Sequence, residues 1–311
     1  MRVLISGSIA YDSIMSFSGI FTDHIVPDQL HRLNLSFVTS EMRREFGGCA
    51  PNIAYGLKAL GADPVILGAA GNDFAPYRYR FEKLGIDDRH IAIFDDCFTA
   101  QAYITTDKNN NQIASFHPGA MMKSAEVHVS NASDIDFGIV SPNSLDAMIQ
   151  HSHEFAQADI PFMFDPGQNI LLFSGEELLA CIKLCQYLVL NHYESTLLFE
   201  KTGRTLKEIA NMVGALVITN SEHGSTIYAN DEEIHIDAIT AAKIEDPTGC
   251  GDAYRAGLVY GILANWDWEK IGYLASLMGS IKIASRGAQN YTNKKDSIDQ
   301  LFSKHCAQHL L

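Results

Sequence analysis

A glycine-rich segment near the C-terminus carries the residue types best suited to phosphate chemistry. It reads Asp-Pro-Thr-Gly-Cys-Gly-Asp-Ala-Tyr-Arg-Ala-Gly from position 246 to position 257. Two glycines on either side of Cys250 allow a tight turn whose backbone N–H groups point the same way. The small residues that follow predict an apolar helix. Its first turn would offer positive partial charge and unpaired N–H groups to a phosphate.

Asp252 lies in the first turn of this predicted helix and has two interpretations. As a structural residue, it would cap the helix. As a catalytic residue, it would accept the proton of a substrate hydroxyl while that oxygen attacks phosphorus. The amides of Gly249, Cys250 and Gly251 would then stabilise charge on the transferring phosphoryl group. The spacing alone leaves both interpretations open.

The elements that must position these residues alternate along the chain as strand and helix patterns. The predicted strands are Val3–Ile9, Val65–Ala69, Phe137–Ser141, Phe162–Asp165, Tyr187–Asn191, Ala215–Thr219 and Ser225–Ala229. The predicted helices are Pro51–Leu60, Tyr77–Leu84, Leu145–Ala158, Gly175–Cys185, Thr205–Val213, Gly251–Ala264 and Trp268–Ser285. Several strands are continuous apolar runs. This order predicts an α/β fold with a doubly wound, mainly parallel sheet that has helices on both faces.

Two segments interrupt the alternation and predict a small β lid beside the main sheet. Residues 13–45 are rich in apolar side chains but have no strong helical period. Within 97–118, the segments Thr99–Thr106 and Gln112–His117 flank a polar turn, which is a hairpin pattern. Ordinary surface hairpins would fit the same pattern. The main domain would then comprise residues 1–12, 46–96 and 119–311.

Polar residues at the predicted strand ends indicate where a ligand would bind. Asp12, Asp165, Asn191 and Thr219 all lie at the carboxyl ends of predicted strands. Ligands of open α/β sheets bind along that edge. The sequence lacks both the Gly-x-Gly-x-x-Gly of a dinucleotide-binding turn after its first strand and the Walker A pattern. A Rossmann dehydrogenase is therefore disfavoured and a P-loop NTPase is excluded.

Composition and charge restrict the partners. The 311 residues include 23 Lys+Arg against 37 Asp+Glu, a formal net charge of −14. Such a chain lacks the basic face that nucleic acid or an anionic membrane requires. It could still hold one small anion, because local geometry can overrule net charge. We expect a cytoplasmic protein with small-molecule partners. It would be a monomer or a homodimer formed through the lid.

Two segments of this sequence resemble the signatures of the PfkB family of carbohydrate and nucleoside kinases, which includes ribokinase and adenosine kinase. One is Asp-Pro-Thr-Gly-Cys-Gly-Asp-Ala-Tyr, which begins at Asp246, and the other is Phe-Gly-Gly-Cys-Ala-Pro-Asn-Ile-Ala, which begins at Phe46. Pro247 and Cys250 stand where many members have Thr and Ala. The resemblance implies a ribokinase-like fold, phosphoryl transfer from ATP with Mg²⁺, and Asp252 as the catalytic base.

The resemblance also implies roles for other positions of this sequence. Asp12, Gly48 and Asn52 would bind sugar hydroxyls. A surface turn is the alternative for Asp12 and a helix cap is the alternative for Asn52, but the two signatures together favour sugar binding by Gly48 and Asn52. Glu194 would hold Mg²⁺ through water, although an Asn with a Glu three residues later is also a helix-capping pair. The ATP site implied by the family consists of Asn191, Thr219, Ser221, Gly224 and Gly287.

The choice of acceptor depends on a narrower resemblance. The segments Arg43–Leu57, Ser115–Met121 and Phe164–Gln168 look most like bacterial adenosine-kinase-type members, which implies adenosine as acceptor and AMP as product. Tyr103 and Phe116 could stack on the base, with Phe37 as a further candidate, and Gln168 could hydrogen-bond the base or the ribose. Packing within the lid would explain the aromatic residues equally. A kinase of ribose or another free sugar, or a regulatory nucleotide-binding protein without activity, remains as an alternative.

Overall fold

The computed structural model describes residues 1–24, 36–109 and 111–309, and its strands form two sheets. In chain order the strands are β1 (Arg2–Ser6), β2 (Ala10–Phe17), β3 (Thr39–Gly47), β4 (Asp63–Gly71), β5 (Asp87–Phe94), β6 (Ala100–Thr106), β7 (Gln112–His117), β8 (Phe137–Val140), β9 (Phe162–Phe164), β10 (Tyr187–Asn191), β11 (Ala215–Thr219), β12 (Ser225–Ala229) and β13 (Glu232–Ile236). Part of the predicted first insert, including Ile25, Val26, Leu33 and Leu35, lies outside the described residues.

The larger sheet confirms the predicted α/β class. Its nine strands run in the order β13-β12-β11-β10-β9-β8-β1-β4-β5. The pairs from β11 through β10, β9, β8, β1 and β4 to β5 are parallel, while β12 and β13 add an antiparallel edge. The order reverses direction at β1, so the sheet is doubly wound. The carboxyl ends of its parallel strands therefore share one edge.

Helices cover both faces of this sheet. They are α1 (Cys49–Ala59), α2 (Ala75–Leu84), α3 (Leu145–Gln157), α4 (Gly175–Leu184), α5 (His192–Thr202), α6 (Leu206–Ala210), α7 (Cys250–Leu263), α8 (Trp268–Ile283) and α9 (Lys295–His309). Val3 and Ile5 of β1 belong to the hydrophobic cluster that contains residues of α1, α7 and α8, whereas Leu4 belongs to a second cluster with residues of α3 and α4. The strand thus buries side chains on both faces, as its continuous apolar run predicts. No described helix has the length and apolar character to cross a bilayer.

The smaller sheet has four strands in the order β3-β2-β6-β7. The predicted hairpin is confirmed, because β6 and β7 pair antiparallel. Phe37 contacts Phe17 and Phe21 beside this sheet. Packing thus accounts for the Phe37 side chain. The division into main domain and lid, and pairing of two chains through this sheet, stay predictions.

The first predicted strand, Val3–Ile9, was too long. β1 ends at Ser6, and β2 begins at Ala10 in the smaller sheet. The sequence analysis expected Asp12 at the carboxyl end of a strand of the main sheet, and this expectation is wrong. Asp12 is the third residue of β2, paired with Glu45 of β3 and Ala102 of β6. The polar residues at the site consequently come from both sheets.

Candidate active site

The glycine-rich loop enters α7 through a left-handed residue. Gly249 has φ +79°, and a Cβ at this position would lie 2.6 Å from the Cβ of Ala288, so conformation and space both require glycine. The first-turn amides of a helix have no intrahelical acceptor. The Cys250 amide donates to the Pro247 carbonyl at 3.1 Å, so the loop itself uses that donor. The amides of Gly251 and Asp252 follow it in the same turn.

A chain of amide hydrogen bonds orients the Asp252 carboxylate. Asn52 of α1 donates from Nδ2 to Asp252 Oδ2 at 2.9 Å, and Gln289 donates from Nε2 to Asn52 Oδ1 at 3.0 Å. The Tyr77 hydroxyl accepts a second bond from Gln289 Nε2 at 2.8 Å. With its amide oxygen already occupied, Asn52 must turn its NH₂ group towards Asp252. This arrangement fixes one carboxylate oxygen of Asp252 and leaves the other available.

Burial raises the pKa of Asp252 to about 6, although the hydrogen bond from Asn52 and the charge of Arg255 act in the opposite direction. The carboxyl group is therefore more basic than an ordinary aspartate and is still mostly ionised at neutral pH. This is the combination that a general base for a hydroxyl group requires.

Asp12 projects from β2 with a carboxylate that no hydrogen-bond donor contacts within the described part of the chain. Burial raises its pKa to about 6, and the nearby carboxylates of Asp246 and Glu45 act in the same direction. Gly47 packs directly on it, because a Cβ there would lie 2.4 Å from Asp12 Oδ2. A half-buried carboxylate without a partner is well placed to accept hydrogen bonds from a ligand.

Arg255, which the sequence reasoning missed, forms a buried ion pair with Asp165 at the carboxyl end of β9. Its Nη2 donates to Asp165 Oδ1 at 2.8 Å, and its Nε donates to Oδ2. Its Nη1 also donates to the Gly251 carbonyl at 3.0 Å. Burial alone would lower the pKa of Arg255, but the carboxylates of Asp165, Glu194 and Asp252 raise it. The side chain therefore stays charged beside the α7 N-terminus.

These groups border one cavity of about 470 Å³. Ala102 and Phe116 of the smaller sheet also line it, and they pair with each other across β6 and β7. Of the residues expected at the site, the cavity brings together Asp12, Gly48, Asn52, Phe116, Gln168, Asn191, Glu194, Thr219, Gly249, Gly251 and Asp252. Residues from all three thirds of the sequence thus meet at one place.

The expected base contact of Tyr103 is not supported by its position. Tyr103 follows Ala102 on β6, and successive side chains of a strand point to opposite faces. Since Ala102 lines the cavity, Tyr103 lies on the other face of the hairpin, where its hydroxyl donates to Gln101 Oε1 at 2.7 Å. Phe116, paired with Ala102, is the aromatic residue of this hairpin that reaches the cavity.

Three expected ATP contacts lie outside the cavity lining. Ser221 and Gly224 form the turn between β11 and β12, where the Gly224 amide donates to the Ser221 carbonyl at 3.2 Å. The Gly287 amide donates to Asp246 Oδ2 at 2.9 Å. Each of these residues has a structural reason to be present in its loop. Their contact with a nucleotide stays a prediction.

Asn191 and Glu194 begin α5 as a reciprocal capping pair. The Glu194 amide donates to Asn191 Oδ1 and the Asn191 amide donates to Glu194 Oε2, both at 2.8 Å. The capping interpretation of this motif is thus confirmed. Both residues also border the cavity, so capping does not exclude ligand binding. Burial raises the pKa of Glu194, and the carboxylate of Asp165 adds to this shift.

Two features are those of a ribokinase-like phosphotransferase with an alcohol acceptor. They are the doubly wound sheet and Asp252, which lies in the first turn of a helix that follows a glycine-rich loop. A model of the pfkB family carbohydrate kinases matches residues 11–295. The chain therefore belongs to the pfkB family.

Similar proteins include a curated nucleoside kinase of Methanocaldococcus jannaschii. It is 31% identical over 278 residues, which cover 88% of this chain and 90% of that protein. The solved nucleoside kinase of Burkholderia thailandensis in complex with inosine is 49% identical, with a TM-score of 0.88 over 97% of each chain. A second structure of that kinase, in complex with ADP-inosine, has a TM-score of 0.86 and 50% identity over 97% of this chain and 95% of that one.

Proposed function

We propose that this kinase transfers the γ-phosphoryl group of ATP to the 5′-hydroxyl of a purine ribonucleoside. Adenosine, which would give AMP, is the acceptor that the sequence predicts, and inosine is a further candidate from the complex of the similar Burkholderia thailandensis kinase. The observation that carries the proposal is the single cavity that holds Asp252, the α7 amides and the free carboxylate of Asp12 together. Free sugars such as ribose are the alternative acceptors.

In the proposed reaction, Asp252 accepts the proton of the 5′-hydroxyl while that oxygen attacks the γ-phosphorus and ADP leaves. The amides of Gly251 and Asp252 face the charge that develops on the transferring group. The carboxylate of Asp12 accepts hydrogen bonds from the vicinal ribose hydroxyls, which places the 5′-hydroxyl near Asp252. The smaller sheet would cover the cavity and exclude water that would otherwise hydrolyse ATP.

Mg²⁺ would enter with the nucleotide. Among the described residues, no group of three or more His, Cys, Asp or Glu side chains lies together to hold a metal by itself. Magnesium usually keeps several waters and uses one or two carboxylates plus substrate phosphates. One oxygen of Glu194 accepts the Asn191 amide, which leaves the other oxygen for a metal-bound water. The donor set therefore fits a magnesium ion shared with ATP, whose charge would offset that of the phosphates.

A panel of acceptors tests this proposal directly. We expect ADP release from MgATP to depend on a ribonucleoside, with kcat/KM for adenosine or inosine at least tenfold above that for ribose, since the base adds contacts. A coupled ADP assay with matched acceptor concentrations measures this ratio. A preference for ribose would contradict the nucleoside assignment. ADP release that no acceptor stimulates would favour the regulatory alternative.

The two exposed aromatic residues of the β6–β7 hairpin provide a matched pair of variants. Phe116→Ser should raise KM for a nucleoside about five- to thirtyfold, because stacking of a base on an aromatic ring contributes about 1 to 2 kcal/mol. KM for ribose should stay unchanged, since ribose has no base to stack. Tyr103→Ser removes an exposed aromatic ring from the opposite face of the hairpin and should alter neither KM value. Equal effects of the two variants on nucleoside KM would show that Phe116 does not bind the base.

A further inference from the structure

A fully buried lysine lies behind the glycine-rich loop and takes no part in the reaction proposed above. Lys282 is the penultimate residue of α8, and none of its surface reaches solvent. Its Nζ donates to the Asp246 carbonyl at 2.6 Å and to the Ser285 carbonyl at 3.2 Å. A buried ammonium group is costly unless its surroundings compensate its charge. Here two main-chain carbonyl oxygens provide that compensation.

The two carbonyls belong to the two loops that surround the start of α7. Asp246 opens the glycine-rich segment, and its carboxylate accepts the Thr248 amide and the Gly287 amide, each at 2.9 Å. Ala288, which follows Gly287 in the second loop, packs so closely on Gly249 that a Cβ at position 249 could not be accommodated. The Lys282 ammonium therefore joins both loops at the point where they determine the path of the α7 N-terminus.

The pKa of Lys282 lies below its ordinary value because burial outweighs the acidic groups nearby. Burial lowers the pKa of Lys282, while the acidic groups of Asp246, Cys250 and Asp252 raise it and Arg43 lowers it further. Arg43 Nη2 lies 3.8 Å from Asp246 Oδ2, so Arg43 forms an ion pair with the side chain of the residue whose carbonyl Lys282 binds. Carbonyl oxygens of this kind also replace the hydration shell of monovalent metal ions. The ammonium thus occupies a place that is chemically suited to a monovalent cation.

We propose that Lys282 is a positioning residue whose ammonium serves as a built-in monovalent cation for the loop before α7. It would hold the Asp246 carbonyl so that the Gly251 and Asp252 amides face the transferring phosphoryl group. The reaction would then need no added monovalent cation at this place. Removal of the ammonium would leave carbonyl oxygens that K⁺ or NH₄⁺ can occupy. The proposal rests on phosphoryl transfer at the α7 N-terminus.

The wild-type protein gives the first test. At constant ionic strength, its kcat should differ by less than about twofold between KCl, NaCl, NH₄Cl and tetramethylammonium chloride, because tetramethylammonium is too large to replace a bound cation. A requirement for K⁺ or NH₄⁺ would overturn the proposal, since it would show that Lys282 does not provide the cation.

Lys282→Met should lower kcat about 10- to 100-fold in tetramethylammonium chloride, with little change in the KM of the acceptor, because small displacements of catalytic groups cost this much. In KCl or NH₄Cl, the kcat of this variant should be at least fivefold higher than in tetramethylammonium chloride. Its melting temperature should also be higher in these salts. Wild-type kcat in the variant, or a loss that neither ion restores, would contradict the proposal.

Lys282→Arg keeps a cation and should fold, with a kcat that does not depend on the salt. Salt dependence in this variant would also contradict it.

Lys201 provides the matched control. Its Nζ also donates to two main-chain carbonyls, those of Leu171 at 3.1 Å and Phe173 at 2.8 Å, but none of these residues lines the cavity. The melting temperature of Lys201→Met should therefore be lower than that of the wild type, but its kcat should not depend on which monovalent cation is present. The same cation effect in both variants would mean general stabilisation by salt and would overturn the proposed role. The melting-temperature comparison needs no acceptor, so it still tests Lys282 if no acceptor supports turnover.

Discussion

Replacing Asp252 by Asn should lower kcat by roughly 10²- to 10⁴-fold while the protein still folds and binds ATP. The loss is large because the amide cannot accept a proton from the attacking hydroxyl. Folding should survive because the side-chain oxygen of Asn can still accept the hydrogen bond that Asn52 donates to Asp252 Oδ2 at 2.9 Å. Steady-state kinetics with the preferred acceptor measures kcat, and calorimetric titration with ATP measures binding. Turnover at the wild-type rate would exclude Asp252 as the base.

The pH dependence of the same variant separates base catalysis from a structural effect. Burial raises the pKa of Asp252 in the free enzyme to about 6, and a base must be ionised to act. Wild-type kcat should therefore fall at acidic pH, with a midpoint that reports the pKa of Asp252 in the enzyme–substrate complex. The residual kcat of D252N should lack this acidic limb. Asp12, with a pKa also raised to about 6 by burial, serves as the control. D12N should mainly raise the acceptor KM and should keep the acidic limb in kcat.

The main sheet could be predicted from sequence because its strands carry their signal locally. β10, β11 and β12 match the predicted ranges residue for residue. β10 and β11 are short, mainly apolar runs, and β12 is a β-branched and aromatic segment that follows Gly224. The antiparallel edge strand β13 was not predicted, and its sequence, Glu-Glu-Ile-His-Ile, has little apolar character. β5 was missed for the same reason, because it starts with charged residues and is only half-buried. Strands at the sheet edges bury less, so composition marks them poorly.

Helices show a similar division. α7 and α8 were predicted within two residues, because their apolar residues and flanking loops are distinctive. α5 was not predicted as a helix. Its Leu-Leu-Phe run at 197–199 places apolar residues side by side rather than on one face, and only Leu198 of the three is fully buried. The helix starts nevertheless at the Asn191–Glu194 capping pair, whose pattern was visible in the sequence.

The site shows where local motifs stop being informative. Asp252, Asn52 and Gly48, which the resemblance to signature segments implies as site residues, lie along one cavity at the starts of α1 and α7, and their roles stay predictions. The hairpin pattern does not determine which face of β6 is turned towards the cavity, and Tyr103 follows the cavity-lining Ala102, so its side chain lies on the other face. The sequence does contain a signal that Arg255 has a buried partner. Arg255 is the only charged residue after Asp252 in the α7 segment 250–263, and a charge in an apolar helix must find a partner.

The net charge of −14 acquires a more specific meaning from the structure. Cationic side chains at the site are committed to the protein itself: Arg255 pairs with Asp165, and Lys282 holds main-chain carbonyls. Neither is free to pair directly with a phosphate as a surface lysine would be. In the proposed reaction, the triphosphate would be bound by backbone amides and by the accompanying Mg²⁺. The α7 N-terminus would then depend on the buried Arg255–Asp165 ion pair and on the Lys282 hydrogen bonds beside it.

Arg255→Met should destabilise the protein by about 3–5 kcal/mol, because it leaves the Asp165 carboxylate buried without its partner. Both side chains are almost fully enclosed, with 8% and 2% of their surfaces exposed. The variant also loses the hydrogen bond from Arg255 Nη1 to the Gly251 carbonyl, so kcat should fall as well. Urea denaturation at pH 7, followed by circular dichroism, measures the free energy of unfolding. A loss below about 1 kcal/mol would mean that water or a rearranged side chain compensates Asp165.

The double variant D165N/R255M distinguishes an unpaired charge from a simple packing defect. It removes the buried charge together with its partner, so it should recover part of the stability that R255M loses. A double variant less stable than R255M would show that shape, and not charge, determines the cost. The exposed pair formed by Arg89 Nη2 and Asp87 Oδ2 at 2.6 Å serves as the control, and R89M should leave stability nearly unchanged because solvent screens that pair. The contrast between the two arginines would show that burial, and not the ion pair by itself, determines how much each contributes.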